Sequence, residues 1–287
     1  MQEWLHSGMG KPVVDGSTRL VGLIGRDVSL SRSFAMHNAA FAQAGLNWSY
    51  LPLPVASHEA LGDALRGMKA MGFAGANVTM PYKEAVLGHV ASQDAEVRRA
   101  GAANTLVAGP EGWSARNSDV PGFIAALERN SIRWRGRPAL VLGAGGAAKA
   151  VMSALAGDPG HRLYILNRTH ARAEELVAGM ERSCGPCSMQ ALASLEGWEC
   201  PEDALVVNCT PDGLGILAGA GGLRFGRGHS VVDLVYRRTP LLERAEAEGA
   251  EAMDGMEMLV QQAALSFHWW TGSEAPVESM RTAAGRV

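Results

Sequence analysis

The sequence predicts an α/β chain in two parts: an N-terminal α/β domain with a mostly parallel sheet, then a doubly wound domain of the kind that binds dinucleotides. Three observations predict it. Short apolar runs of strand length alternate with helix-length stretches that end in glycine. A glycine-rich turn, Gly143-Ala144-Gly145-Gly146-Ala147-Ala148, stands directly after one such run and before a helical one. The chain has 287 residues, about two ordinary domains.

The elements follow in order. Residues 19–25 form a short apolar run ending in glycine and read as a buried strand. Residues 36–45 read as a helix stopped by Gly45. Residues 48–55 are the next strand and 60–71 the next helix, which ends at Gly72. Residues 75–79 are a strand reaching Pro81, which fits the first turn of a new helix. The second part opens near Pro121-Gly122. There, strands at 138–142, 163–166, 205–207 and 231–235 alternate with helices at 147–156 and 171–183. The glycine-rich stretch 213–228 reads as a loop, and 257–270 as an apolar-rich helix. The domain boundaries expected are 1–120, completed by 256–287, and 121–255.

Composition excludes several classes. The net charge of −3 leaves no basic footprint for nucleic acid or an anionic membrane surface. Residues 1–11 carry Glu3 and no apolar core, so no signal peptide is expected, and no apolar run is long enough for a membrane span. A cytoplasmic protein is expected. Cys184-Gly185-Pro186-Cys187 has CxxC spacing, but no second pair or histidine pair completes a zinc site. No metal is expected. His37 reads as a packed helix residue, Trp269-Trp270 as core closure, and the charges from Glu243 to Glu251 as a solvated helix face.

Two stretches carry chemistry. The glycine turn brings backbone and a helix N-terminus up to a pyrophosphate through Gly143, Ala144, Gly145, Gly146 and Ala147. An NAD enzyme would follow it by about 20 residues with Asp or Glu for the ribose diol. Here the second strand ends in Asn167-Arg168-Thr169, with Arg172 beyond. A guanidinium grips a 2′-phosphate that a carboxylate would repel. The cofactor is therefore read as NADP(H). The other stretch, Asn77-Val78-Thr79-Met80-Pro81-Tyr82-Lys83, sets a hydroxyl and an amine four residues apart across a proline. An ammonium can protonate an oxygen that becomes negative as a carbonyl is reduced. Lys83 is the candidate, with Asp119 as its carboxylate partner.

These residues belong to a larger pattern. It runs through Ser31-x-Ser33-x-x-x-His37-Asn38, the Asn77-to-Lys83 stretch and Gly101-Ala102-x-Asn104-Thr105-Leu106. It continues through Asn117-x-Asp119-x-x-Gly122-Phe123, the glycine turn, Asn167-Arg168-Thr169 and Asp233-x-x-Tyr236. It ends with Gly255-x-x-Met258-Leu259-Val260-x-Gln262-Ala263. In this the chain resembles the shikimate dehydrogenases and their quinate-active relatives, from Val21 to Gly272. The resemblance implies a substrate domain and a Rossmann-type NADP-binding domain with the site in the cleft between them. It implies that Ser31 and Ser33 bind a substrate carboxylate, that Thr79, Asn104 and Gln262 bind ring hydroxyls, and that Tyr236 faces the substrate. Lys83 and Asp119 become the acid/base pair. Asn167 to Arg172 hold the adenosine ribose phosphate, and Leu234 and Gly255 line the nicotinamide. The implied reaction interconverts 3-dehydroshikimate and shikimate. The oligomeric state stays open, a homodimer among the options.

The chain departs from that pattern at Phe34, where proline is usual, at Arg26-Asp27, at Pro211, and in a shorter loop after Tyr236. These departures suggest a divergent paralogue, and quinate or an amino-shikimate is the alternative substrate. Ser33 and the Asn167-Arg168-Thr169 segment favour shikimate and NADP(H). A non-catalytic regulator on the same fold is the reading from another class, and the intact Lys83 and Asp119 argue against it. A methylene-tetrahydrofolate dehydrogenase is a third reading, and the paired serines argue against that.

Overall fold

The computed structural model describes residues 14–158, 160–183, 187–219 and 222–286. Residues 1–11 and Cys184 of the CxxC pair lie outside these. The chain divides into two compact units. The first gathers Met1–Gln93, Ala103–Arg116 and Ala263–Val287; the second gathers Asp94–Ala102 and Asn117–Gln262.

The first unit is built on strands β1 (Arg19–Gly25), β2 (Trp48–Pro54), β3 (Gly75–Val78), β4 (Ser92–Gln93), β5 (Thr105–Gly109) and β6 (Gly112–Arg116). Their order is β2-β1-β3-β5-β6-β4. Pairing is parallel at β2-β1-β3 and at β6-β4, and antiparallel at β3-β5-β6. Helices α1 (Ser33–Gln43) and α2 (His58–Ala70) supply the crossovers between the first three strands. Ser57 caps α2 by accepting from the Ala60 N–H. Strand β2 is an edge, and Asn38 of α1 covers part of it. Its side chain donates to the Tyr50 carbonyl at 3.1 Å and accepts from the Tyr50 N–H at 2.9 Å.

The second unit holds α3 (Ala95–Ala100), α4 (Asp119–Arg129), β7 (Ala139–Leu142), α5 (Gly146–Leu155), β8 (Arg162–Leu166), α6 (His170–Ser183) and β9 (Ser188–Leu192). It continues with β10 (Leu205–Asn208), α7 (Gly213–Gly219), β11 (Ser230–Asp233), α8 (Pro240–Ala247) and β12 (Glu251–Asp254). All its strands are parallel, in the order β12-β11-β10-β7-β8-β9. This is the doubly wound dinucleotide order, with its switch point between β7 and β10. Every residue of β7, β10 and β11 is buried, as a sheet covered on both faces requires. Helices α9 (Met256–Thr271) and α10 (Val277–Gly285) complete the chain, α9 passing from the second unit into the first. No described helix is long and apolar enough to cross a membrane.

Three readings of the sequence need correction. Pro81 does not open a helix. It follows a cis peptide bond in a turn closed by the Tyr82 N–H on the Thr79 carbonyl, and only a short 3-10 turn, Ala85–His89, follows. Tyr82 cannot continue outward as a helix would, because its hydroxyl is tied to the Val55 carbonyl at 2.7 Å. The stretch 213–228 is not all loop: Asp212 accepts from the Gly215 N–H and starts α7, whose Leu217 is buried. The charged face that began at Glu243 stops at Ala247, and Glu251 belongs to strand β12. The β5–β6 hairpin, α3, α4, β4, β9, β12 and α10 carry no sequence expectation above.

The first unit is locked where Gly75 of β3 passes beneath α9. A side-chain carbon there would lie 2.2 Å from Nε1 of Trp270 and 2.5 Å from the Leu106 carbonyl. Trp270 donates to that same carbonyl at 2.9 Å, so it cannot step aside without losing a buried bond. Gly75→Ala should therefore destabilise the protein by roughly 1–3 kcal/mol, the usual cost of overpacking. Denaturant unfolding followed by tryptophan fluorescence will measure it.

Candidate active site

In the first unit the candidate residues stand at the carboxyl ends of the parallel strands, where open α/β sheets bind ligands. Ser31 and Ser33 follow β1, and Thr79 and Lys83 follow β3; β1 and β3 are neighbours. The strand ends are laced together. The Thr79 N–H donates to the Ile24 carbonyl at 2.8 Å, and the Val55 N–H to the Gly25 carbonyl at 2.9 Å. Ser31 folds back through its N–H to Val28, and its Oγ accepts from the Ser33 N–H at 3.2 Å. Ser33 is buried at the start of α1, while Ser31, Thr79 and Lys83 are half-buried. The Lys83 carbonyl accepts from the Ala103 N–H at 2.8 Å, which brings the lysine turn beside Asn104.

A buried polar cluster lies beneath this rim. Asn77 is 6% exposed. Its Nδ2, with two hydrogens, lies within hydrogen-bond distance of the Asn104 carbonyl (3.1 Å), Thr105 Oγ1 (3.1 Å) and Ser266 Oγ (2.9 Å), and its Oδ1 accepts from the Tyr50 hydroxyl at 2.8 Å. Asn77 and Thr105 are direct partners across the β3–β5 ladder. The Asn104 carbonyl also accepts from the Val78 N–H at 2.9 Å. Burial pushes the Tyr50 phenol up, so it stays protonated and able to donate. His37 stacks on Tyr50 with ring centroids 4.4 Å apart, and Trp270 packs on both. Neither ring nitrogen of His37 has a hydrogen-bond partner, and burial pushes its pKa down to about 3.

In the second unit the glycine turn closes on the switch point. Gly143 has φ +105°, and a side-chain carbon on it would lie 2.6 Å from Cγ2 of Thr210 at the end of β10. The turn leads into α5 with Gly145 as extended N-cap, so the first-turn N–H groups have no side-chain cap. Beside it, β8 ends at Leu166 and is followed by Asn167, whose Nδ2 donates to the Thr169 carbonyl at 2.8 Å. Arg168, Thr169 and Arg172 are exposed at this end, and no carboxylate stands among residues 167–172. This donor set fits a 2′-phosphorylated dinucleotide: a cradle of glycine and alanine, a helix N-terminus and two guanidiniums.

The wall after β11 is held by a buried carboxylate. Asp233, 1% exposed, accepts from Asn208 Nδ2 (2.8 Å), the Val235 N–H (3.1 Å) and Thr239 Oγ1 (2.7 Å). Thr239 also caps α8. Gly255 meets the Leu234 backbone so closely that a side-chain carbon would lie 2.3 Å from its carbonyl oxygen, so the two residues expected near the nicotinamide are adjacent. Tyr236, in the same loop, is 43% exposed. At the start of α4, Asn117 Oδ1 accepts from the N–H groups of Asp119 and Val120, and Asp119 is buried. Gln262 of α9 accepts from Ser118 Oγ at 3.4 Å and donates to the Leu259 carbonyl at 2.8 Å. Lys83 belongs to the first unit and Asp119 to the second.

Sequence reasoning missed Tyr50 and Ser266, and gave Asn77 and Thr105 no role of their own. Nothing in a strand pattern marks a tyrosine at position 50 as polar-facing; the sole signal was a run of amides and hydroxyls, Asn77, Asn104 and Thr105, inside otherwise apolar strands. Three of the departures are tied into their surroundings. Phe34 packs edge-on against Tyr50 at 5.6 Å. Asp27 closes its turn by accepting from the Ser29 N–H and hydroxyl. At Pro211, the preceding Thr210 is held by Asn208 through both N–H and hydroxyl.

A doubly wound sheet with these phosphate-binding features, joined in one chain to a second α/β unit carrying a lysine at its strand ends, defines a two-domain NADP-dependent oxidoreductase. Comparison with known proteins gives the family. The model for the shikimate dehydrogenase substrate binding domain matches residues 23–106, that for shikimate/quinate 5-dehydrogenase 125–197, and that for the shikimate 5′-dehydrogenase C-terminal domain 255–284. The shikimate dehydrogenase (NADP(+)) of Methanopyrus kandleri is 42% identical, over 94% of this chain and 96% of its own. That of Symbiobacterium thermophilum is 40% identical over 94% of both. The crystal structure of shikimate 5-dehydrogenase from Thermus thermophilus, in complex with NADP(H) and shikimate, superposes with TM-score 0.77 at 34% identity, covering 93% of this chain and 99% of its own. The chain belongs to the shikimate dehydrogenase family.

His37 sets an acid limit on the fold. A histidine held neutral by burial contributes stability above its unfolded pKa, near 6.5, and that contribution is lost as pH falls from there toward about 3. The loss should approach about 1.4 kcal/mol per pH unit across that window. In urea titrations between pH 7 and pH 4, His37→Phe, which keeps a ring on Tyr50, should show a slope shallower by that amount.

Proposed function

We propose that the chain interconverts 3-dehydroshikimate and shikimate with NADP(H), using the residues of both units as follows. The observation that carries the activity is similarity over nearly the whole chain to NADP-dependent shikimate dehydrogenases, 40% identical or more in the two relatives above. NADPH, when bound, supplies hydride to the ring carbonyl. Gly143 to Ala147 hold its pyrophosphate, Asn167, Arg168, Thr169 and Arg172 its ribose phosphate, and Leu234 and Gly255 its nicotinamide.

The chain's own groups handle the substrate and the proton. Ser31 and Ser33 take the carboxylate; Thr79, Asn104 and Gln262 take ring hydroxyls; Tyr236 faces the ring. These partners are neutral, which suits a polyol whose ground state need not be gripped strongly. Binding that is equal in ground and transition states does not raise turnover. The charge is kept for the reacting oxygen: the Lys83 ammonium protonates it, and Asp119 is the carboxylate of the pair. Support for the Lys83 role is its place at the end of β3, next to the switch point between β1 and β3. The reverse reaction uses the same groups, with Lys83 accepting the proton. A polar metabolite and NADP(H) as reactants support a cytoplasmic enzyme.

Lys83→Ala should lower kcat by roughly 10²–10⁴-fold, the range of a general acid, with a modest change in KM. Steady-state NADPH absorbance with purified variant measures it. A kcat close to that of the unsubstituted protein would remove Lys83 from the mechanism.

A further inference from the structure

The cation nearest in sequence to the proposed carboxylate subsite is Arg32, which stands between Ser31 and Ser33. A guanidinium there is the obvious ligand for a carboxylate. The fold commits it elsewhere. Arg32 Nη1 donates at 2.7 Å to the backbone carbonyl of Ala284, 252 positions further along the chain. The direction of this bond is fixed, since a guanidinium only donates and a carbonyl only accepts. Ala284 is buried in the last turn of α10. Helix carbonyls there lack intrahelical partners and carry the negative end of the helix dipole. A cation is the favoured cap at such a place.

Two bonds give the packing of α10 on α1 its direction. The hydroxyl of Ser279, in the first turn of α10, reaches the Ala39 carbonyl in the second half of α1 at 3.5 Å. Arg32, the residue before α1, meets the last turn of α10. The two helices therefore run antiparallel, and the C-terminal end of α10 lies beside the N-terminal end of α1. That end of α1 carries Ser33, whose N–H donates to Ser31 Oγ at 3.2 Å.

We propose that Arg32 is a positioning residue for the substrate carboxylate: it fastens the Ser31–Ser33 turn to α10, so the seating of α10 sets how tightly the carboxylate is held. The inference rests on the reading above, in which Ser31 and Ser33 take that group. Two effects act in the same direction. The bond holds the backbone between the two serines, so both hydroxyls keep their places. The guanidinium also offsets the carbonyls of α10, which otherwise oppose an anion at the adjoining end of α1. Such coupling is reciprocal: α10 tightens the hold on the carboxylate, and a bound carboxylate tightens the seating of α10.

The test uses the full chain with Arg32→Met, which keeps the stem and removes the charge and donors, and Arg32→Lys, which restores a cationic donor. Arg32→Met should raise KM for shikimate roughly tenfold, the weight of one hydrogen bond to a charged group, with kcat within about twofold. Arg32→Lys should recover most of the loss. The second readout is hydrogen exchange of the α10 amides, followed by mass spectrometry. Shikimate should slow it in the unsubstituted protein and leave it unchanged in Arg32→Met. The arm on the unsubstituted protein needs no variant, so it decides the matter if Arg32→Met fails to fold. An α10 indifferent to shikimate overturns the inference, as does an unchanged KM in folded Arg32→Met or a failure of lysine to rescue it. A KM raised about a hundredfold, with α10 exchange unmoved by shikimate, would make Arg32 a direct carboxylate ligand and also overturn it. If the unsubstituted protein neither binds nor turns over shikimate, the proposed function falls and takes this inference with it. Normal turnover together with any other overturning result strikes this inference alone.

Discussion

One buried carboxamide, Asn77, is the constraint on which the first unit's functional edge depends. It is buried within the sheet, so each of its polar atoms must be satisfied inside the protein or the fold carries a heavy desolvation cost. Tyr50 from β2, Thr105 from β5 with the Asn104 backbone just before it, and Ser266 from α9 satisfy it. Three strands and a helix distant in sequence are thereby held in one register. Immediately beyond it come Val78, the last residue of β3, bonded to Asn104, and Thr79, bonded to Ile24. The turn that carries Lys83 starts from this fixed point.

The second unit solves a similar problem with a buried carboxyl group. Asp233 is buried among neutral donors from Asn208, Thr239 and the Val235 backbone. Those bonds connect the ends of β10 and β11 and the start of α8. They shape the loop containing Leu234 and Tyr236, where a nicotinamide wall is proposed. In both units, buried polar residues just under the carboxyl edge of a parallel sheet hold the short loops above. Loops that bind ligands gain precision from such support.

The doubly wound unit was legible in the sequence at its centre, because β7, β10 and β11 are short, buried and largely apolar and its turn is a glycine run. Local chemistry there matches global fold. The first unit was legible as far as β3 and poorly beyond. The β5–β6 hairpin alternates weakly, and its two-residue connection, Pro110-Glu111, is not a common hairpin pair. Pro81 was misread because a proline after a strand fits a helix start as well as a turn, and the choice was made by Tyr82 reaching Val55, a contact 27 residues away. The motif residues at the strand ends could be named from family resemblance. The buried groups Tyr50 and Ser266 could not, since only the fold brings positions 50, 105 and 266 together around 77.

The account as a whole holds that this site reads shikimate and NADP(H). Initial rates with shikimate and with quinate, each against NADP and NAD, test that most directly. The account predicts the highest kcat/KM for shikimate with NADP. Faster oxidation of quinate with NAD would contradict both the substrate assignment and the reading of Arg168 and Arg172.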